Sequence, residues 1–118
     1  MSASVCPFCE PDTVIVENDL ARAIPDRSPV RPGHTLIVPK RHVETIFEAT
    51  EEEVLAFRDL LLRMKEILDE DHSPGGYRIG INAGRAAGQS VMHLHIHLVP
   101  MGEGGTRRRG EVFSRGDM

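Results

Sequence analysis

The sequence predicts an α+β domain that consists of a mainly antiparallel five-stranded sheet and one long helix. Three observations support this fold class. Short apolar segments bounded by Gly, Pro, Asn and Asp are typical of strands and hairpins. One segment carries a capping signature and an apolar stripe at helical spacing. Two further strand-like segments follow it, so the helix interrupts a series of strands.

The first half of the chain predicts three strands. Residues 13–17 and 20–24 flank an Asn-Asp turn and predict a β-hairpin. Residues 25–33 contain three prolines and predict a loop. Residues 34–39 predict the third strand, which ends at a proline. Because these segments are closely connected, we expect them to pair in an antiparallel arrangement.

The helix is predicted from its N-terminal cap. Thr50 is a favourable N-cap, and Glu53 three residues later completes a capping box. The helix is expected to run to about Glu70, before a Ser-Pro-Gly-Gly segment. Its predicted apolar face consists of Val54, Phe57, Leu61, Met64 and Leu68.

The remainder of the chain predicts two strands and a tail. Residues 77–82 and 91–100 are expected to be the fourth and fifth strands, joined by a glycine-containing loop over residues 83–90. We expect residues 1–101 to form a single domain. Residues 102–118 are rich in Gly and Arg with little to bury, so they predict a flexible tail.

Composition excludes several classes of function. The 118-residue chain has a formal net charge of −4, whereas nucleic-acid-binding domains are usually basic, so no nucleic acid partner is expected. No apolar run approaches the ~20 residues of a membrane span, and the N-terminus lacks the features of a signal peptide. We therefore expect a cytoplasmic protein without a membrane partner, in which Cys6 and Cys9 form no stable disulfide.

The most informative motif is a set of alternating histidines, His93, His95 and His97. On a strand these three side chains share one face, and the leucines and isoleucine between them share the other. Three structural histidines in such a row would be unusual. The motif therefore favours either a metal site or covalent catalysis in which the central imidazole attacks an electrophile.

The loop before these histidines favours catalysis on a phosphate. Residues 84–90 offer backbone amides, a guanidinium, a carboxamide and a hydroxyl, which are suitable donors to phosphate oxygens. An imidazole with an ordinary pKa near 6.5 has a lone pair available at neutral pH and forms a reactive phosphoramidate. Phosphoryl or nucleotidyl transfer fits both motifs.

The two cysteines form a separate Cys6-x-x-Cys9 motif. It could be a redox pair, a pair of small residues without a shared role, or half of a metal site. His42 and His93 could complete a Cys₂His₂ tetrahedron. Spacing alone leaves these alternatives open.

Together these motifs resemble the histidine-triad (HIT) superfamily. The alternating histidines resemble its signature, and several other blocks occur in the order found in that family. These blocks are CPFC at 6–9, PGHTLIVPKRH at 32–42, INAG at 81–84 and GQSV at 88–91. Pro100 and the basic tail at 107–109 are most similar to the dinucleoside-polyphosphate hydrolase, or fragile-histidine-like, branch. Histidine at position 97 differs from the glutamine of the related uridylyltransferase branch, which disfavours a transferase.

The resemblance implies a HIT-like fold, a homodimer and nucleotidyl transfer to water. The substrate would be a purine nucleotide AMP-X, such as a diadenosine polyphosphate, cleaved at the α-phosphate. His95 would be the nucleophile, His97 would contact the phosphate, and His34 would support the triad. No organic cofactor is implied. The alternatives are an adenosine 5'-monophosphoramidase and a zinc-stabilised nucleotide-binding module with little turnover.

The resemblance also implies the residues that bind substrate and metal. Asp26 would bind the ribose and Ile24 the base, and the phosphate or leaving group would contact Asn82, Gln89 and Ser90. A structural zinc in the N-terminal segment would be bound by Cys6, Cys9, His42 and His93. His93 would then serve the metal, whereas the other two histidines would face substrate.

Overall fold

The structure, a computed structural model, describes residues 6–102. It confirms the predicted α+β class with one long helix and a five-stranded antiparallel sheet. The elements in chain order are β1 (Val16–Glu17), β2 (Ala21–Pro25), β3 (Thr35–Pro39), a 3₁₀ helix (Ile46–Glu48), α1 (Glu51–His72), β4 (Gly76–Ile81), a 3₁₀ helix (Arg85–Ala87) and β5 (Ile96–Met101). Among these elements, no helix is long and apolar enough to cross a membrane. The predicted tail lies outside the described residues except for Gly102.

The sheet has the strand order β1-β2-β3-β5-β4, and each neighbouring pair is antiparallel. The histidine-bearing strand β5 therefore lies between two other strands. His97 stands opposite Leu36 of β3 and Gly80 of β4. Its ring projects from the interior of the sheet, where backbone hydrogen bonds hold its position on both sides.

Helix α1 begins with the predicted capping box. The backbone N–H of Glu53 donates to the Thr50 hydroxyl at 3.0 Å, and the backbone N–H of Thr50 donates to the Glu53 carboxylate at 2.8 Å. The helix ends at His72 rather than at Glu70. Ser73 follows in the left-handed conformation, with φ of 46°, and its N–H donates to the carbonyl of Asp69.

The predicted apolar face of α1 is wrong at one of its five positions. Val54 is 45% exposed, whereas Leu61 is partly buried and packs against the core. The fully buried residues of the helix are Glu53, Phe57, Leu60, Met64 and Leu68. Both sets have helical spacing and share three members. The Glu53 carboxylate can be buried on this face because Arg41 makes a two-point ion pair with it, at 2.9 Å for each contact.

The main core lies between α1 and one face of the sheet. Leu94, Ile96 and Leu98 pack there, as the alternation of the histidine segment predicts. Burial of each such side chain contributes about 1.5–3 kcal/mol. The histidines consequently occupy the opposite face, beside a small apolar cluster of Ile24, Leu36, Val38 and the partly buried Phe8.

Two strands are at least three residues shorter than predicted. β1 begins at Val16 rather than at residue 13, and β5 begins at Ile96 rather than at residue 91. The paired part of β5 begins at Ile96, which stands opposite Ile37 of β3 and Ile81 of β4. Pro39 at the end of β3 has no N–H to donate, so it cannot extend this pairing. His93 and His95 thus precede the paired part of the strand. Between these two histidines, the N–H of Leu94 donates to the carbonyl of Val43 at 2.7 Å.

Candidate active site and metal centre

The ring of His95 is oriented by the main chain. Its Nδ1–H donates to the carbonyl of His93 at 2.8 Å, so Nε2 carries the lone pair. Burial lowers the pKa of His95 below its ordinary value of 6.5, and the raising effects of that carbonyl and of Asp26 are smaller. The residue therefore offers a neutral imidazole nitrogen at neutral pH.

A hydrogen-bonded chain fixes the proton of His97. The N–H of Val30 donates to Nδ1 of His34 at 3.1 Å, so His34 carries its proton on Nε2. That Nε2 lies 2.9 Å from Nδ1 of His97 and donates to it. His97 must then carry its own proton on Nε2. Burial, reinforced by His95 and His34, lowers the pKa of His97 to about 3.

Asp26 completes this group. Its Oδ2 lies 3.3 Å from Nε2 of His34 and 3.9 Å from Nδ1 of His97. Burial lowers the pKa of His34, and the nearby Asp26 carboxylate only partly opposes the effect. All three rings of His34, His95 and His97 are therefore neutral at pH 7.

The distances within Asp26, His34 and His97 would also suit a metal ion, but the tautomers do not. A metal would need the lone pair of His34 Nε2, which would move the ring proton to Nδ1. The N–H of Val30 already points at Nδ1 from 3.1 Å. We therefore interpret this group as a hydrogen-bonded chain, not as the catalytic metal site that the alternating histidines left open.

A cavity of about 400 Å³ opens beside these histidines. Its size lies within the usual range for small-molecule sites. One part of the wall is polar and includes Asp26, Ser28, Ser90, His95 and His97. The other part is largely apolar and includes Pro7, Phe8, Ile24, Leu36 and Val91. The cavity thus offers a surface for a flat apolar group next to a surface for a polar one.

The predicted substrate residues divide into two groups. Ile24, Asp26 and Ser90 line the cavity together with His95 and His97, whereas His34 contacts His97 and is not part of the wall formed by the described residues. Gln89 is buried, and its carboxamide is used by the backbone. Its Oε1 accepts from the N–H of Gly84 at 2.7 Å, and its Nε2 donates to the carbonyls of Glu44 and Val91 at 2.7 and 3.0 Å.

These contacts suggest different roles for the two loop residues. Gln89 fixes the shape of the loop that presents Ser90 to the cavity. Asn82 lies immediately after β4, half-buried, and is not part of the cavity wall formed by the described residues. The structure therefore brings Ser90 directly to the cavity, but not Gln89 or Asn82.

Sequence reasoning missed several apolar wall residues, among them Phe8, Leu36 and Val91. The Phe8 ring centroid lies 5.0 Å from that of His95. Leu36 stands one position from the core-facing Ile37 and so points to the histidine face. The position of Phe8 between Cys6 and Cys9 predicts that it lies near the metal centre, but nothing in the local sequence predicts that its ring reaches the cavity.

Cys6, Cys9, His42 and His93 converge at the other end of the histidine segment and could hold a metal ion. Nδ1 of His93 lies 3.2 Å from Cys6 Sγ, 3.5 Å from Cys9 Sγ and 3.0 Å from Nδ1 of His42. A tetrahedral zinc would separate such ligand atoms by about 3.3–3.8 Å. Small shifts would therefore accommodate the ion.

The surroundings of these four residues also fit a cation. Nε2–H of His93 donates to the carbonyl of Pro39 at 2.9 Å, which leaves Nδ1 as the ligand atom. Burial and the neighbouring Cys6 raise the pKa of the Cys9 thiol to about 11. A divalent cation would favour the thiolate instead. Arg22 donates to the Cys9 carbonyl at 3.2 Å and ties this segment to β2.

The fold and the site together define a histidine-triad protein, since a central antiparallel strand presents its histidines beside a small-molecule cavity. The chain belongs to the HIT domain family, whose model matches residues 9–104.

Individual relatives agree with this assignment. An uncharacterized HIT-like protein from Synechococcus elongatus is 42% identical over 89 residues, which are 75% of this chain and 78% of that protein. The bis(5'-adenosyl)-triphosphatase of Dictyostelium discoideum is 37% identical over 90 residues, covering 74% of this chain and 58% of that one. The solved structure of a zinc-bound histidine triad family protein from Mycobacterium smegmatis has a TM-score of 0.75 at 30% identity, covering 93% of this chain and 82% of that one.

Proposed function

We propose that this protein hydrolyses purine nucleotides of the form AMP-X at the α-phosphate, through a covalent intermediate on His95. The observation that carries the proposal is the hydrogen bond from His95 Nδ1 to the carbonyl of His93. It leaves Nε2 as a neutral nucleophilic nitrogen on a residue that lines the cavity.

In the first step, Nε2 of His95 attacks the α-phosphorus and forms a P–N bond. The bond from phosphorus to X breaks, and X leaves with the electron pair. His97, which carries its proton on Nε2, donates a hydrogen bond to the phosphate and stabilises the charge that develops on its oxygens. His34 is a positioning residue that fixes the His97 tautomer.

In the second step, water attacks the same phosphorus. The P–N bond breaks, the electron pair returns to Nε2, and AMP is released with one proton passing to solvent. Because the pKa of His95 is lowered, the ring returns to its neutral form and is ready for another cycle.

The cavity wall supports an adenosine nucleotide as substrate. Ile24 and Leu36 form an apolar surface for the base. Asp26 Oδ1 accepts from the N–H of Ser28 at 2.7 Å, and the carboxylate is placed to accept from ribose hydroxyls. Ser90 supplies a hydroxyl for the phosphate, and we propose that Asn82 contacts the leaving group from the end of β4.

The mechanism is tested by His95→Ala. Hydrolysis of diadenosine triphosphate should be lost while the affinity for AMP, measured by calorimetry, stays within about twofold of wild type. The matched control is His72→Ala, which replaces an exposed histidine at the end of α1 and should hydrolyse normally. Hydrolysis by His95→Ala at the wild-type rate would exclude the covalent mechanism.

The leaving group is tested by comparing kcat/KM for diadenosine tetraphosphate, diadenosine triphosphate and adenosine phosphoramidate. The similarity to a bis(5'-adenosyl)-triphosphatase favours a dinucleotide. Preference for the phosphoramidate would instead favour the monophosphoramidase. AMP binding without turnover of any of the three would favour a nucleotide-binding module.

We also propose that zinc is the metal bound by Cys6, Cys9, His42 and His93. Two thiolates and two imidazoles are a common ligand set for structural zinc, and the Mycobacterium smegmatis relative is described as zinc-bound. Because four protein ligands complete the coordination, the ion supplies folding stability rather than a catalytic water.

A homodimer is proposed on the basis of β4, which lies at one edge of the sheet. Ile79 and Ile81 occupy alternate positions on this strand and are 54% and 39% exposed. An exposed apolar edge strand readily pairs with another chain, and a second copy would cover both residues. Light scattering should give twice the monomer mass, and a monomer for Ile79→Lys; a monomeric wild type would contradict the dimer.

A further inference from the structure

The side chain of Phe8 links the metal centre to the cavity. Phe8 lies between the candidate ligands Cys6 and Cys9. Its ring centroid is 5.9 Å from that of His93, with the planes at 87°, and 5.0 Å from that of His95. One aromatic ring therefore contacts both a candidate metal ligand and the candidate nucleophile.

Phe8 is also part of the cavity wall and packs against the apolar cluster of Ile24, Leu36 and Val38. A nucleotide base held against that cluster would meet the Phe8 ring. If the ring moved away, this wall of the cavity would open. The position of Phe8 should therefore affect how well a base is held.

The segment that carries Phe8 is a turn that belongs to no strand of the sheet. It precedes β1, the first strand of the described residues. Its own hydrogen bonds include a turn, in which the N–H of Cys9 donates to the carbonyl of Cys6 at 3.1 Å, and the contact from Arg22 to the Cys9 carbonyl. Metal bonds from Cys6 and Cys9 would fix the segment on both sides of Phe8.

We propose that metal occupancy at Cys6, Cys9, His42 and His93 positions Phe8 against the cavity, so that metal and nucleotide bind cooperatively. This inference rests on the proposed nucleotide site and adds its regulation. Linkage requires the effect to be reciprocal: the factor by which zinc strengthens nucleotide binding equals the factor by which nucleotide strengthens zinc binding.

The first experiment measures both sides of this linkage, with AMP and zinc as the ligands. Calorimetry gives the AMP dissociation constant of the zinc-loaded and zinc-depleted protein, and chelator competition gives the zinc affinity with and without saturating AMP. We expect the same factor, about tenfold, in both measurements. Equal AMP affinity in the loaded and depleted protein would overturn the proposal.

The second experiment assigns the coupling to the Phe8 ring. Phe8→Ala should bind AMP weakly in both metal states, and its zinc affinity should no longer respond to AMP. The matched control is Phe47→Ala, since Phe47 is 83% exposed; it should keep the tenfold factor. Retention of the factor by Phe8→Ala would overturn the role of Phe8, even if the depleted protein were partly unfolded.

The two proposals fail in different ways. If AMP does not bind the zinc-loaded wild type, both the nucleotide site and the coupling are wrong. If AMP binds equally with and without zinc and hydrolysis still requires His95, the proposed function stands and only the coupling is wrong.

Discussion

Nε2 of His34 lies 2.9 Å from Nδ1 of His97, and this hydrogen bond determines where both rings carry their protons. The N–H of Val30 occupies the other nitrogen of His34, so the direction of donation is from His34 to His97. A main-chain amide in the loop between β2 and β3 thus determines that His97, on β5, presents an N–H to the cavity side of the site.

The first prediction concerns this hydrogen bond. His34→Leu removes the donor to His97 and should lower kcat for diadenosine triphosphate by about tenfold to a hundredfold, because a misplaced catalytic group can cost that much. The affinity for AMP should change little. His34→Gln can accept from Val30 and donate to His97, so it should recover part of the rate. Equal rates for both variants would contradict the tautomer argument.

The second prediction concerns stability at low pH. Folding holds the pKa of His97 at about 3, against an ordinary value of 6.5. As the pH falls below 6.5, the unfolded chain therefore binds a proton that the folded chain does not, and stability decreases until about pH 3.

This effect is measured with His97→Gln, by urea unfolding at pH 7 and pH 5. The free energy of unfolding should fall by about 1–2 kcal/mol less in the variant than in the wild type over this interval. The other groups titrate in both proteins, so the difference reports the loss of His97 together with its coupling to His34 and His95. Identical pH dependence would show that His97 titrates normally in the folded protein.

The third prediction concerns the ion pair between Arg41 and Glu53. Burial opposes ionisation of Glu53, but its hydrogen bonds with Arg41 lower its pKa on balance. Glu53→Gln should destabilise the protein by about 1–3 kcal/mol in urea unfolding, because it leaves a buried group poorly paired. Glu52→Gln removes the same charge from an exposed position in the same helical turn and should cost about 0.5 kcal/mol. Similar losses would contradict a special role for the pair.

The fourth prediction concerns the metal. Purified wild type should contain about one zinc per chain by mass spectrometry. His42→Ala should contain almost none, and its melting temperature should fall by about 5 °C or more, since about 1 kcal/mol has that effect in a domain of this size. His72→Ala also replaces an exposed histidine and should retain both metal and melting temperature. A metal-free wild type of equal stability would exclude the zinc site.

Much of the fold is predictable because local signals agree with the final structure. The capping box at Thr50 fixes the start of α1, and the alternation of Leu94, Ile96 and Leu98 with histidines predicts which side meets the core. The rotation of the helix was not predictable in this way. It depends on how Phe57, Leu60 and Met64 pack against the sheet, and Arg41, outside the helix, pairs with the Glu53 carboxylate that this rotation buries.

The candidate site likewise contains residues whose roles the sequence predicts and residues whose roles it does not. The histidines and the Cys₂His₂ group follow from sequence spacing and family resemblance, because residue type alone limits what they can do. The contacts of Gln89 and Phe8 do not follow from spacing or from the resemblance. Gln89 uses its carboxamide on the carbonyls of Glu44 and Val91. Phe8 reaches the cavity because its ring packs against the cluster of Ile24, Leu36 and Val38. Both facts depend on contacts that no local pattern encodes.

The pairing of β5 with its neighbours begins only at Ile96, after His93 and His95. This late start has a consequence for the evolution of the site. Had β3 and β4 extended further, the backbone around His93 would be engaged with neighbouring strands. As it is, the carbonyl of His93 accepts from the ring of His95. That acceptor belongs to the peptide backbone, so it survives any replacement of the His93 side chain. A relative could lose its metal through this position and still keep its nucleophile in the reactive tautomer.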